Sequence, residues 1–177
     1  MKKYILYTAA LMAITISSCR KIETDGEIQV VVVNGGGGGT PTAQTITLQG
    51  RINADTVLRK ANSYILKGIV YMVGNHTMTI EPGTVIKGAF SGTDVAALVI
   101  TRGSKIIAAG TATDPIVFTS LSPNPQSGDW GGIVLCGKAG YNLSYNGTAG
   151  LYQVEGGIDN ANGDGLAGSG DAVAPSP

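Results

Sequence analysis

The chain reads as an all-β solenoid, a parallel β-helix, and three observations carry that expectation. The first is an internal echo. Thr77-Met78-Thr79-Ile80-Glu81-Pro82-Gly83-Thr84-Val85-Ile86-Lys87-Gly88 is matched twenty residues later by Ala97-Leu98-Val99-Ile100-Thr101-Arg102-Gly103-Ser104-Lys105-Ile106-Ile107-Ala108. Both units run strand, glycine-containing turn, strand, and a period near that length marks a coiling architecture. The second is turn chemistry. Glu81-Pro82-Gly83-Thr84 puts Pro at i+1, where its ring presets φ, and Gly at i+2, where a type II turn needs positive φ. Thr101-Arg102-Gly103-Ser104 keeps the glycine. A hairpin would need a primed turn, and this kind splays one. The third is composition: 27 glycines in 177 residues, 14% charged and 6% aromatic. Glycine stands at about twice its ordinary ~7% share, which suits short strands joined by tight turns.

The elements follow in order. Met1, Lys2 and Lys3 form a basic start, and residues 4–16 are an apolar run too short to span a bilayer. Ile16-Ser17-Ser18-Cys19 then has the order of a bacterial lipobox. It predicts a signal peptide over 1–18, cleavage before Cys19 and a lipid on Cys19, so that the membrane is a partner through that lipid. An ordinary secretory signal with an incidental cysteine is the rival reading. Cleavage removes Lys2 and Lys3 and takes the formal charge from zero to −2. No basic excess remains to attract nucleic acid. Cys136 is then without a disulfide partner, and in Gly132-Ile133-Val134-Leu135-Cys136 it reads as a small core hydrophobe on a strand.

Residues 19–44 read as a lipid-anchored tether. The run Gly35 to Gly39 has maximal backbone freedom and no side chain to bury. Within the tether, Ile28-Gln29-Val30-Val31-Val32-Val33 is β-prone and pairs either with the solenoid edge or with a neighbour. From Thr45 the pattern is β throughout. Thr45-Ile46-Thr47-Leu48, Val57-Leu58, residues 64–71, the two echo units, residues 116–119 and Ile133-Val134-Leu135 are the expected strands. Superposing the turns predicts the stacks Met78 under Leu98, Ile80 under Ile100 and Ile86 under Ile106, on strands ~4.8 Å apart. Thr79, Val99, Val85 and Lys105 would then face outward. The coils are expected over 45–140 and a polar, glycine-rich loop region over 141–177. An antiparallel β-sandwich is the alternative, because only three of the twelve echo positions are identical.

Three blocks, "TIEPGTVIKG", "ALVITRGSKIIAAGTATDPIVFTS" and "GDWGGIVLCGKA", together resemble the Bacteroidota surface lipoproteins that carry a right-handed parallel β-helix. The resemblance covers roughly residues 45–164. It implies an outer-membrane location facing the exterior, no established enzymatic activity and no catalytic residue to carry over. Members of that family are longer, which implies that this chain is an N-terminal fragment of a larger protein. Asp55-Thr56-Val57 resembles the short O-glycosylation site of the same phylum, with Thr56 as acceptor.

Few residues suggest chemistry. Asn160-Ala161-Asn162-Gly163-Asp164-Gly165 resembles the opening of a calcium loop, with oxygen ligands at alternate positions. Asn160, Asn162, Asp164 and Asp171 are its candidate ligands, and calcium is the one cofactor suggested. A polar loop explains the same residues by composition. Trp130, the single tryptophan, either stacks on a sugar ring or packs on the next coil. His76 lies in a turn with no acidic or histidine companion in local sequence. Phosphate loops, zinc-type cysteine sets and nucleophile-elbow motifs do not occur.

Two functions remain open. One is a non-catalytic surface protein that binds glycan, matrix or another surface protein. The other is a polysaccharide-cleaving lyase or hydrolase whose site lies in further C-terminal coils. With the turns superposed, Glu81 meets Thr101 and Lys87 meets Ile107, so no acid–base pair forms and the binding or structural role is preferred.

Overall fold

The computed structural model describes residues 31–32, 43–158 and 160–169. The chain winds as a parallel β-helix with three faces. In the first coil, β2 (Thr45–Ile52) leads to β3 (Thr56–Leu58). In the second, β4 (Ser63–Met72) leads to β5 (Thr77–Ile80). In the third, β6 (Val85–Gly88), β7 (Ala97–Ile100) and β8 (Lys105–Ile107) follow one another. β9 (Val117–Ser120) and β10 (Ile133–Leu135) begin the fourth. All pairings between these coils are parallel. The antiparallel sandwich is therefore not the fold.

β2 and β4 each serve two faces. Both bend where glycine takes positive φ, Gly50 at 67° and Gly68 at 60°. The β2–β4 register shifts between Leu48 and Gly50. Their first halves align with β6 and β9; the second half of β4 aligns with β7, and β7 with β10. β3, β5 and β8 make the third face. Leu48, Ile52, Leu58, Leu66, Val70, Met72, Met78, Ile80, Ile86, Leu98 and Ile100 point inward and are buried as one cluster.

The stacking differs from the expected one by a single strand. Met78 lies beside Ile106, Ile86 beside Phe118, and Ile100 beside Met72. The echo units are successive strand–turn–strand segments of the winding; the first strand of one lies beside the second strand of the other, and their turns do not superpose. The reason is that a glycine turn is required at each corner, so the turn repeats per corner and not per coil. Both turns have the expected geometry. Gly83 has φ 80° and Gly103 φ 87°. The Thr84 amide donates to Glu81 O at 3.3 Å, and the Ser104 amide to Thr101 O at 3.0 Å. Loops of unequal length enter between strands, so stacked residues lie 18 apart at Thr45 and Ser63 but 35 apart at Leu98 and Ile133.

The ends of the chain's described portion are tied back to the coils. β1 (Val31–Val32) pairs antiparallel with β2, Val31 opposite Thr47 and Val32 opposite Ile46. Downstream of β10, β11 (Ser144–Tyr145) and β12 (Thr148–Ala149) form a hairpin whose Asn146 and Gly147 both take positive φ. β13 (Leu151–Gln153) and β14 (Leu166–Gly168) pair antiparallel. This last segment lies across the outside of the β4–β7–β10 face. Ile158 and Ala167 bury Tyr71, Val73, Val99 and Cys136 in a second apolar cluster. Val99, expected to face solvent, is fully covered by it. Among the described residues no helix is long and apolar enough to cross a membrane.

Trp130 sits in the loop between β9 and β10 with its ring flat on Gly88, against the main core. A methyl group added at Gly88 would stand 2.6 Å from that ring. Gly88→Ala is therefore expected to push the indole off β6 and destabilise the fold by about 1–3 kcal/mol. A red-shifted tryptophan emission with a lowered denaturation midpoint checks this.

Candidate functional site

The corner after the β4–β7–β10 face gathers the most chemistry. Each coil turns here with a short polar segment. In the second coil Gly74 and Asn75 adopt φ 70° and 62°, and the His76 amide donates to Val73 O at 3.3 Å. In the third, Arg102 precedes Gly103; in the fourth, Lys138 follows Gly137. Winding brings Asn75, Arg102 and Lys138 to one corner, where they line one cavity. Gly103 is what allows their close approach, since a Cβ there would collide with Asn75 Oδ1 and lie 3.2 Å from Lys138 Nζ.

The C-terminal segment supplies the opposite wall. Asn160–Gly163 forms a tight turn, with the Gly163 amide donating to Asn160 O at 2.8 Å and Gly163 at φ 74°. The result is a cavity of about 390 Å³ lined by Arg51, Asn75, Arg102, Lys138, Asn162 and Asp164, among others. Asp164 is buried and forms an ion pair with Arg51 of the first coil. Arg102 Nε is buried without a hydrogen-bond partner. Among the described residues three cations, Arg51, Arg102 and Lys138, line the cleft with a single carboxylate that Arg51 already engages, an excess of positive charge.

The predicted calcium ligands meet this field. Asn160, Asn162 and Asp164 do share one turn, but the Asp164 carboxylate is turned to Arg51. Cationic side chains on the same cavity repel a divalent ion, and among the described residues no three His, Cys, Asp or Glu side chains gather as a metal set. Asp171 and Cys19 lie outside the described residues.

The other candidates are separate from the cleft. Thr56 starts β3, half-buried, and its hydroxyl donates to Ala54 O at 2.9 Å. Trp130 is half-buried and engaged in packing on Gly88. His76 does have an acidic companion, Asp55 of the preceding coil, with Nδ1 3.3 Å from Oδ1. The Thr77 amide also donates to that oxygen at 2.8 Å, and mainly this bond holds the Asp55 carboxyl below its ordinary range. Glu81 likewise meets Arg59 at 3.1 Å and the Lys60 amide at 2.9 Å across coils, not Thr101. Cys136 is buried under the C-terminal segment, and burial raises its thiol pKa, partly offset by Arg102 nearby. It is a protonated core residue, as its strand context suggested.

Sequence reasoning passed over Arg51, Arg102, Lys138 and Asn75. The available signal was a basic or amide side chain beside a glycine at each recurrence of one corner, Asn75 after Gly74, Arg102 before Gly103 and Lys138 after Gly137. It becomes visible only with the right register.

A model of the pectate-lyase-like beta helix domain family matches residues 50–167, and the chain belongs to that family. Neither a curated protein nor a solved structure matches the chain.

Removing the Asp164 charge leaves Arg51 partly buried and unpaired. Asp164→Asn is expected to cost about 1–3 kcal/mol and to loosen the C-terminal segment. Native-state alkylation of Cys136 should accelerate; an unchanged rate would mean that the ion pair does not hold that segment down.

Proposed function

We propose that the chain is a surface-exposed outer-membrane lipoprotein, anchored by lipid on Cys19, whose β-helix binds polysaccharide without cleaving it. The family supports a polysaccharide-related role. The observation that carries the binding reading is the cationic cleft, where Arg102 and Lys138 stand with Asn75 and Asn162 as additional polar groups. Guanidinium and ammonium groups at a stepped corner suit carboxylate groups spaced along an acidic glycan. Hydrolysis of a glycosidic bond ordinarily uses two carboxyl groups flanking it. Among the described residues Asp164 is the one carboxylate lining the cleft, and its pairing with Arg51 takes it away from proton transfer.

Binding is tested by titrating the chain with a uronate-rich polysaccharide and with a neutral one. The acidic polymer should bind, more weakly as salt rises, and Arg102→Ala with Lys138→Ala should weaken it about tenfold or more. Equal binding of the neutral polymer, or indifference to the double substitution, removes the proposal. Unsaturated or newly reducing ends in the same mixture would favour the cleaving enzyme instead.

Anchoring is tested separately. Mass spectrometry of protein extracted from membranes should find an acylated Cys19 as the new N-terminus. An unmodified N-terminus at another position would remove the anchor and, with it, the location.

A further inference from the structure

One outward column of the β4–β7–β10 face begins on a charge. Arg51, Tyr71, Val99 and Val134 stand side by side from coil to coil. The C-terminal segment covers this column with two kinds of contact. Ile158 and Ala167 cluster with its apolar members, and Asp164 pairs with Arg51. Asp164 is buried, and so is Cys136 beneath the same segment, its thiol donating to Asp164 O at 3.9 Å. The apolar groups are well covered, but the polar ones are not all satisfied. Arg102 Nε and both polar atoms of the Asn160 side-chain amide are enclosed with no hydrogen-bond partner. Water would satisfy them if the segment lifted, so their enclosure works against the docked state. Lifting also leaves the coils intact. β13 and β14 pair with each other in a sheet of their own and extend no ladder of the solenoid. A unit held by few buried apolar groups opens at less than the cost of global unfolding.

We propose that Asp164 is a built-in ligand of the cleft, which an acidic polysaccharide displaces from Arg51, lifting the C-terminal segment as it binds. This rests on the acidic-glycan reading given above and adds a gate to it. Asp164 presents to Arg51 the same carboxylate group that a uronate carries. While it is docked, Arg102 and Lys138 are the cations left for a ligand among the described residues that line the cleft. Once it is displaced, Arg51 joins them and the opposing charge leaves the cleft. A ligand carboxylate then takes the place of Asp164, so Arg51 is never left unpaired, and Arg102 Nε gains access to an acceptor that the docked arrangement denies it. The open state therefore holds the acidic chain more tightly than the closed one. That difference in affinity is what a ligand-driven shift requires.

The test follows Cys136 in the folded full chain with a neutral alkylating reagent. An oligosaccharide of uronic acid residues should accelerate alkylation several-fold. A neutral oligosaccharide, and sodium chloride at matched ionic strength, should not. A slowed or unchanged rate with the acidic oligomer bound makes the segment a fixed wall and overturns the proposal. Equal acceleration by salt overturns displacement by the ligand. Ile158→Ser supplies a second arm, because Ile158 anchors the segment and lines no part of the cleft. This variant should bind the acidic oligomer several-fold more tightly than wild type; equal or weaker binding overturns the gate. Should it fail to fold, the wild-type alkylation rates decide alone. A failed binding reading gives a different result: neither wild type nor Ile158→Ser takes up the acidic oligomer, and the gate falls with it. A failed gate leaves wild-type binding intact with Cys136 still shielded.

Discussion

Stacking of inward aliphatic side chains on parallel strands is the constraint on which everything else rests. Each coil buries its column only when the next coil lies above it. Met72 is buried between Ile52 and Ile100, and Ile100 between Met72 and Leu135. Parallel pairing keeps residues of equal orientation in register, so one apolar position per strand pair is reproduced coil after coil. The corners then have to turn without disturbing that register, and glycines at positive φ, such as Gly83 and Gly103, let them do so.

The same constraint concentrates polar chemistry at the corners. Polar side chains at the corners face outward more often than those within the strands, and winding brings successive coils' corners together. Asp55 thereby meets His76, Glu81 meets Arg59, and Lys67 meets Asp94 at 3.1 Å. These pairs are exposed, and solvent screening leaves each contributing little. Arg51 and Asp164 differ, because the C-terminal segment covers them. That contact closes one side of the cleft and shields Cys136, so fold stability and the candidate site share a residue pair.

The segment after β10 changes the character of one face. In a bare solenoid Tyr71 and Val99 would look outward into water. Here Ile158 and Ala167 bury them and the turn at 160–163 becomes a wall of the cationic cleft. A glycine-rich stretch that looked like polar loop is thus a partner of the sheet. Its apolar residues are too few and too scattered to show a period, which is why composition alone pointed to loop.

The sequence by itself determined the strands, the glycine corners and the parallel winding, because alternation of apolar residues and the φ demanded of Gly83 and Gly103 are local properties. It also exposed Cys136 as a core thiol and placed Val31 and Val32 in a strand in need of an edge. Tertiary structure alone decided which coil lies over which. Loops of unequal length between β6 and β7, β8 and β9, and β9 and β10 remove any constant period, so the stack of Met78 on Ile106 has no signature in spacing. The cleft depends on that hidden register. Arg51, Asn75, Arg102, Lys138 and Asp164 are scattered through more than a hundred residues, and only the pitch of the helix and the fold-back of the C-terminal segment bring their charges within reach of one ligand.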